Sequence, residues 1–247
     1  MSNESARGIA VPFTVLLAMT VVSQLASVAY TSDRDFFAIV GPSTIAVIAI
    51  TAPLALVGLR LGPALGLGAP LLIALFERRP GAGAQLRRDA LLATGIGLVI
   101  GAFLWALRLV LAPYLPAELP ELGHRGVLGG LLVSISAAIG EEVWLRLGVM
   151  TLLAWLIRRA AGHADLRPAV AWAAIGIAAF AFGLIHLPQL AAAGAASQAG
   201  MAATILGNML VGTAFGWLYW KRSLIAAIIA HFAVDVLLHV LPAFAWP

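Results

Sequence analysis

From Ile9 to Leu241 the chain alternates between apolar runs of about 20 residues and short stretches that carry most of its charge. A run of that length spans a bilayer as a helix, because in lipid only helices and closed barrels satisfy their own backbone groups. The runs are Ile9 to Tyr30, Phe36 to Leu59, Leu61 to Phe76, Ala90 to Ala112, Gly126 to about Leu156, Ala169 to Leu187, Met201 to Trp220 and Ser223 to Leu241. Leu61 to Phe76 is short and carries Gly62 and Pro63 near its start. It reads as a full span, a re-entrant segment or a continuation of the run before it. With 62% hydrophobic residues, 11% charged and a mean hydropathy of +1.01, the 247 residues leave no room for a soluble module. The expectation is an all-α, polytopic transmembrane helical bundle of about eight spans, one integral membrane domain over residues 1–247. The first run lacks a small-residue cleavage site behind it, so it reads as a retained span, not a signal peptide.

The sequence contains no cysteine, which removes disulfides, iron-sulfur clusters and thiolate nucleophiles. Its net charge of +4 rests on arginines and a single lysine, Lys221, lying mostly between the runs. Cations so placed orient a membrane protein; they do not form a nucleic-acid surface, so lipid is the expected surrounding and no nucleic acid the expected partner. Arg used almost to the exclusion of Lys, with abundant Ala and Gly, points to a GC-rich bacterial genome and hence to the inner (plasma) membrane. The connections alternate: Arg78, Arg79, Arg87 and Arg88 in one, Glu118 and Glu121 in the next, then Arg158, Arg159 and Arg167, then an uncharged stretch, then Lys221 with Arg222. By the excess of cations in cytoplasmic loops, the basic connections face the cytoplasm and the end of the last run lies outside. Eight spans put the start of the first run outside as well. Asp33, Arg34 and Asp35 add almost no vote.

Of the eleven acids, Glu141, Glu142 and Asp235 fall inside runs, as do His186, His231 and His239 among the five histidines. His124 and His163 are in connections. Ionisable groups at such depth are costly and normally pair, face a wet cavity and mark function. Glu142 and Arg146, four apart, share a helical face and neutralise each other; Glu141 projects about 100° away, less compensated, as a general base requires. The plainer reading is a Glu-Glu-Arg network that only joins helices. Phe182 lies one turn before His186, where its ring shares a face with the imidazole. His186, close to Pro188, taken alone reads as an interfacial or satisfied core residue. His231 and Asp235 form another pair four apart, in which Asp235 orients the ring, shares its proton or ligates a metal. His239 continues that stripe and reads as a satisfied polar group near the helix end. A carboxylate pair, two histidines and a further acid on three runs are the components of an activated-water hydrolase.

In order, these residues resemble the CPBP family, the CAAX proteases and bacteriocin-processing membrane proteases also called Abi, whose motifs are EExxxR, FxxxH and HxxxN or HxxxD. The chain supplies Glu141, Glu142 and Arg146; Phe182 and His186; His231 and Asp235. Gly212, Gly216 and the turn around Lys221 to Leu224 are similar to the small-residue helix and tight turn before the last motif. The likeness covers about residues 126–241; the earlier runs match only in being hydrophobic. It implies an intramembrane endopeptidase acting on a membrane-associated protein or peptide. Glu141 and His186 would activate water, Glu142, Arg146 and Phe182 would support them, and His231 with Asp235 would stabilise the oxyanion. Asp stands where Asn is commoner, so Asp235 has to be protonated, pair with an imidazolium at His231 or serve a metal. The favoured reading has no cofactor. If zinc or another divalent metal is used, Glu141, His186, His231 and Asp235 would hold it.

Counted at 1.5 Å per residue from the basic ends, Glu141 and His186 lie about 25 Å deep but His231 only about 12 Å, a mismatch the fold has to absorb. Two other classes of function use similar residues: a proton-coupled transporter, and an inactive immunity or scaffold protein that binds a peptide without cutting it.

Overall fold

The structure, a computed structural model, describes residues 3–32 and 35–245, without the side chains of 3–7 and 245. Asp33 and Arg34 lie outside the described residues. Among the latter there are only helices and connections, and seven helical stretches are long and apolar enough to cross a membrane. They run Gly8–Thr31, Phe36–Leu65, Ala82–Tyr114, Gly126–Ala160, Pro168–Ala192, Gln198–Lys221 and Leu224–Phe244. The chain is therefore a polytopic helical bundle and an integral membrane protein.

The count is seven where the runs suggested about eight, because Leu61 to Phe76 does not span. Helix α2 (Phe36–Leu61) continues through a 3₁₀ turn, Gly62–Leu65, after which Gly66 at φ 68 and Gly68 at φ 97 reverse the backbone. Glycine occupies that left-handed region without the clash a Cβ brings. Helix α3 (Pro70–Phe76) is only seven residues, about 10 Å, too short to cross. The Tyr219 hydroxyl pins the reversal by accepting from Gly68 N at 2.8 Å. An odd count puts Gly8 and Phe244 on opposite faces, in place of the shared face that eight spans require.

Helix α1 is Asn3–Thr31 and α4 is Ala82–Leu111. The fourth span comprises α5 (Gly126–Glu141), a π-helical segment Glu142–Met150 and α6 (Thr151–Ala160). The fifth comprises α7 (Pro168–Ile185) and α8 (Leu187–Ala192), and the sixth is α9 (Gln198–Lys221). The last comprises α10 (Leu224–Asp235), a second π-helical segment Val236–Val240 and α11 (Pro242–Ala245). Local chemistry sets the starts: Pro168 takes the first position of α7, Ser197 Oγ accepts from Gly200 N at 3.0 Å, and Ser223 Oγ accepts from Ala226 N at 3.1 Å.

Large apolar side chains such as Val22, Ile45, Leu91 and Val110 are exposed on the outer surface, where lipid replaces water. Between helices the contacts rest on small residues, as expected where burial from lipid gives no hydrophobic gain. A Cβ at Gly97 would strike Ala230 O of α10, and one at Gly58 the backbone carbonyl of Leu147. The fourth span, 35 residues and about 52 Å long, exceeds a hydrocarbon core of about 30 Å. At its basic end Arg158 Nη1 donates to Ala64 O at 3.2 Å and Ala164 O at 2.7 Å. Part of the span's length lies outside the hydrocarbon core, so a depth counted from Ala160 overstates that of Glu141; the count for His186, along α7, is untouched by this.

Candidate active site

The three motif-bearing spans bring their polar groups to one place. Glu142 is fully buried and bridges two partners: Arg146 Nε lies 3.2 Å from its Oε2, and His231 Nδ1 donates to its Oε1 at 2.9 Å. Arg146, 1% exposed, extends the link to α9 by donating from Nη2 to Gly212 O at 3.1 Å. Its guanidinium also sits over the rings of Phe182 (5.0 Å) and Phe215 (5.5 Å), which shield it on two sides. Phe215 stacks on the His231 ring with centroids 4.7 Å apart and planes at 18°. Phe182 meets His186 and His231 edge to face at 4.9 and 6.0 Å, so a single ring spaces the two imidazoles.

The remaining nitrogen of His231 faces two more carboxylates, Glu141 Oε2 at 3.7 Å and Asp235 Oδ2 at 3.6 Å. Both are ion-pair distances beyond hydrogen-bond reach, so Nε2 is not committed to either. Three carboxylates stand against Arg146 and, when both its nitrogens carry protons, His231. One formal negative charge remains. Of the alternatives left open for Asp235, its position beside Nε2 is that of a partner for an imidazolium.

Glu141 differs from its neighbour as the helical rotation requires. Glu142 is sealed at 0%, whereas the Glu141 side chain is 19% exposed and opens onto a cavity of about 660 Å³. His186, Asp235, Phe182 and His231 line the same cavity. Nδ1 of His186 donates to Phe182 O at 2.7 Å, which leaves Nε2 as the free acceptor of the neutral ring. The ring is thus held by the carbonyl four residues back as well as by the aromatic side chain. Among the described residues no hydrogen bond or ion pair joins His186 to Glu141; open cavity separates them.

A protein-bound zinc needs converging lone pairs at about 2.0–2.3 Å. Here His231 and His186 each hold Nδ1 on a protein acceptor and keep Nε2 over, the usual arrangement of a ligating histidine, but among the described residues no group of three His, Asp or Glu converges as a metal site.

His239 differs from the reading given to it. It lines the cavity, and among the described residues it has no hydrogen-bond partner. Sequence reasoning also passed over three lining residues. Asn208 donates from Nδ2 to Thr204 O at 2.8 Å with one proton and has a second to offer; an amide inside an apolar run was a visible signal. Phe215 carried none, since one aromatic in an apolar helix looks like any other. Arg125 stands at the mouth just before α5, where burial lowers its guanidinium pKa and the charge of Asp235 works against that fall.

Residues 123–237 match a family model described as Rce1-like, type II CAAX prenyl endopeptidase Rce1-like. The match takes in Glu141, Glu142, Arg146, Phe182, His186, His231 and Asp235, and it supports from a separate direction the family that the three motifs resemble. Over this stretch, somewhat less than half of its length, the chain is similar to that endopeptidase family. No curated protein and no solved structure matches the chain.

Proposed function

From the Rce1-like stretch and the cavity it encloses, we propose that the protein is an intramembrane endopeptidase hydrolysing a peptide bond in a membrane-associated protein or peptide. The observation that carries this reading is the contrast between two adjacent glutamates: Glu142 is locked between Arg146 and His231, and Glu141 faces an open cavity that His186, its Nε2 unbonded, also lines.

In this reading a water between Glu141 and His186 gives a proton to Glu141 as its oxygen attacks the carbonyl carbon. The carbonyl becomes an oxyanion and accepts a hydrogen bond from His231 Nε2, the nitrogen uncommitted in the resting site. Asp235 balances the charge of that imidazolium, and Glu142 holds the ring through Nδ1. This removes the objection to an acid at position 235, because Asp235 addresses the imidazole and not the oxyanion. Glu141 then hands that proton across the cavity to His186 Nε2, which passes it to the departing amine as the C–N bond breaks, so that Glu141 returns to the carboxylate and His186 to the neutral ring. Base catalysis of this kind contributes about 10²- to 10⁴-fold, and one oxyanion donor about 10²- to 10³-fold.

The proposed chemistry uses no metal. Activity of the purified protein that survives exhaustive chelation agrees; activity lost on chelation and restored by zinc contradicts it. The function is tested by mapping new protein termini in membranes of cells carrying the parent or Glu141→Gln. Termini that appear only with the parent identify substrate and cleavage site together. Identical terminus maps, with pH-linked solute uptake abolished by the substitution, point to a carrier; identical maps and an unchanged phenotype point to a binding protein.

A further inference from the structure

The cavity has a direction. Its floor lies toward the basic connections, where Phe215, fully buried, stacks under His231 and the equally buried Arg146–Glu142 pair closes the space behind it. Its upper wall comes from the opposite end of the bundle. Leu115, Leu119, Pro120 and Leu122 belong to the connection that carries Glu118 and Glu121, Gln189 to α8, and Thr204 to the second turn of α9. Among the described residues, none of residues 66–81, 161–167 or 221–223, the three basic connections, lines it.

One wall of the cavity is shared with the lipid-facing surface: Leu107 of α4 and Leu206 and Leu210 of α9 line it while being 37%, 66% and 41% exposed. Leucine is the commonest lining residue, and hydrogen-bonding groups stand among the leucines on Arg108, Arg125, Gln189, Thr204 and Asn208. That pattern suits an extended polypeptide with apolar side chains, whose amides need occasional partners.

We infer that the substrate is an apolar polypeptide segment reaching Glu141 from the face that bears Glu118 and Glu121, the non-cytoplasmic face by the excess of cations on the other side. The inference rests on the endopeptidase reading for what happens to that segment, and on the cavity and the loop charges alone for where it comes from.

The cysteine-free chain permits a direct test. Single variants Leu119→Cys and Thr204→Cys report on the cavity, Glu121→Cys on the acidic connection and Arg79→Cys on a basic one. Intact cells receive a membrane-impermeant maleimide. Both cavity cysteines are expected to label along with Glu121→Cys, while Arg79→Cys labels only after permeabilisation. Cavity cysteines that stay protected in intact cells and label only with Arg79→Cys overturn the inference. A bulky maleimide on Thr204→Cys is further expected to reduce cleavage of a mapped substrate at least tenfold; unchanged cleavage by the fully labelled protein also overturns it. Labelling needs no catalysis, so a failed access result leaves the Glu141→Gln comparison standing, and a failed cleavage result leaves the access map standing.

Discussion

Glu142, Arg146 and His231 are buried to a degree that ordinarily penalises charge, and they persist because each has another within reach. Removing one member therefore harms more than removing the pair. Arg146→Met leaves Glu142 uncompensated except by His231, and a cost of about 3–5 kcal/mol is expected, read as a lowered thermal midpoint in detergent. The double variant Glu142→Gln/Arg146→Met is expected to recover most of that stability while remaining inactive, because Gln holds the His231 ring without the charge that supports an imidazolium. A double variant no more stable than the single would refute the pairing. At this scale the sequence was informative: spacing of four paired Glu142 with Arg146 and His231 with Asp235, and helical rotation separated Glu141 from Glu142. The link between Glu142 and His231 joins residues 89 positions apart, and no spacing rule reaches that far.

Helices α7 and α9 meet through Gly212, Gly216 and Gly183, and their approach fixes where Phe182 and Phe215 stand. A Cβ at Gly212 would lie 3.0 Å from Ala179 Cβ and 3.3 Å from Arg146 Nη2. Gly212→Val is accordingly expected to push α9 away, lower the thermal midpoint and reduce cleavage more than tenfold. Gly176→Ala, on the same α7 but with nothing within 4 Å of the new Cβ, is expected to leave both unchanged. Equal effects from the two substitutions would mean that close packing at Gly212 does not position the site. The small residues were legible beforehand as packing positions. The π-helical segments Glu142–Met150 and Val236–Val240, each starting beside a site carboxylate, were not, since they depend on how the span is packed. Gly66 and Gly68 show the converse: both were in plain view within Leu61 to Phe76, but an apolar average hides the turn they make.

No residue of the first two spans lines the cavity, yet both brace the fourth span, which carries Glu141. Gln24 Nε2 donates to Ser136 O at 2.9 Å, Trp144 Nε1 donates to Thr51 Oγ1 at 2.8 Å, and α2 presses Gly58 against Leu147. The sequence described these spans only as hydrophobic; their role emerges from contacts with Ser136, Trp144 and Leu147 on a distant part of the chain. A chain lacking residues 1–81 is expected to be inactive, and co-expression of that piece with residues 82–247 to restore cleavage, since the break falls in an exposed connection. Full activity of residues 82–247 alone would show the brace to be dispensable. The central claim is that Glu141, and not its buried neighbour, activates water in this cavity. The most direct test is the single-turnover rate of Glu141→Gln against parent, reconstituted in liposomes, on the substrate identified by terminus mapping. A fall of about a thousandfold with the thermal midpoint unchanged is expected; a rate within tenfold of the parent would mean that some other group activates the water.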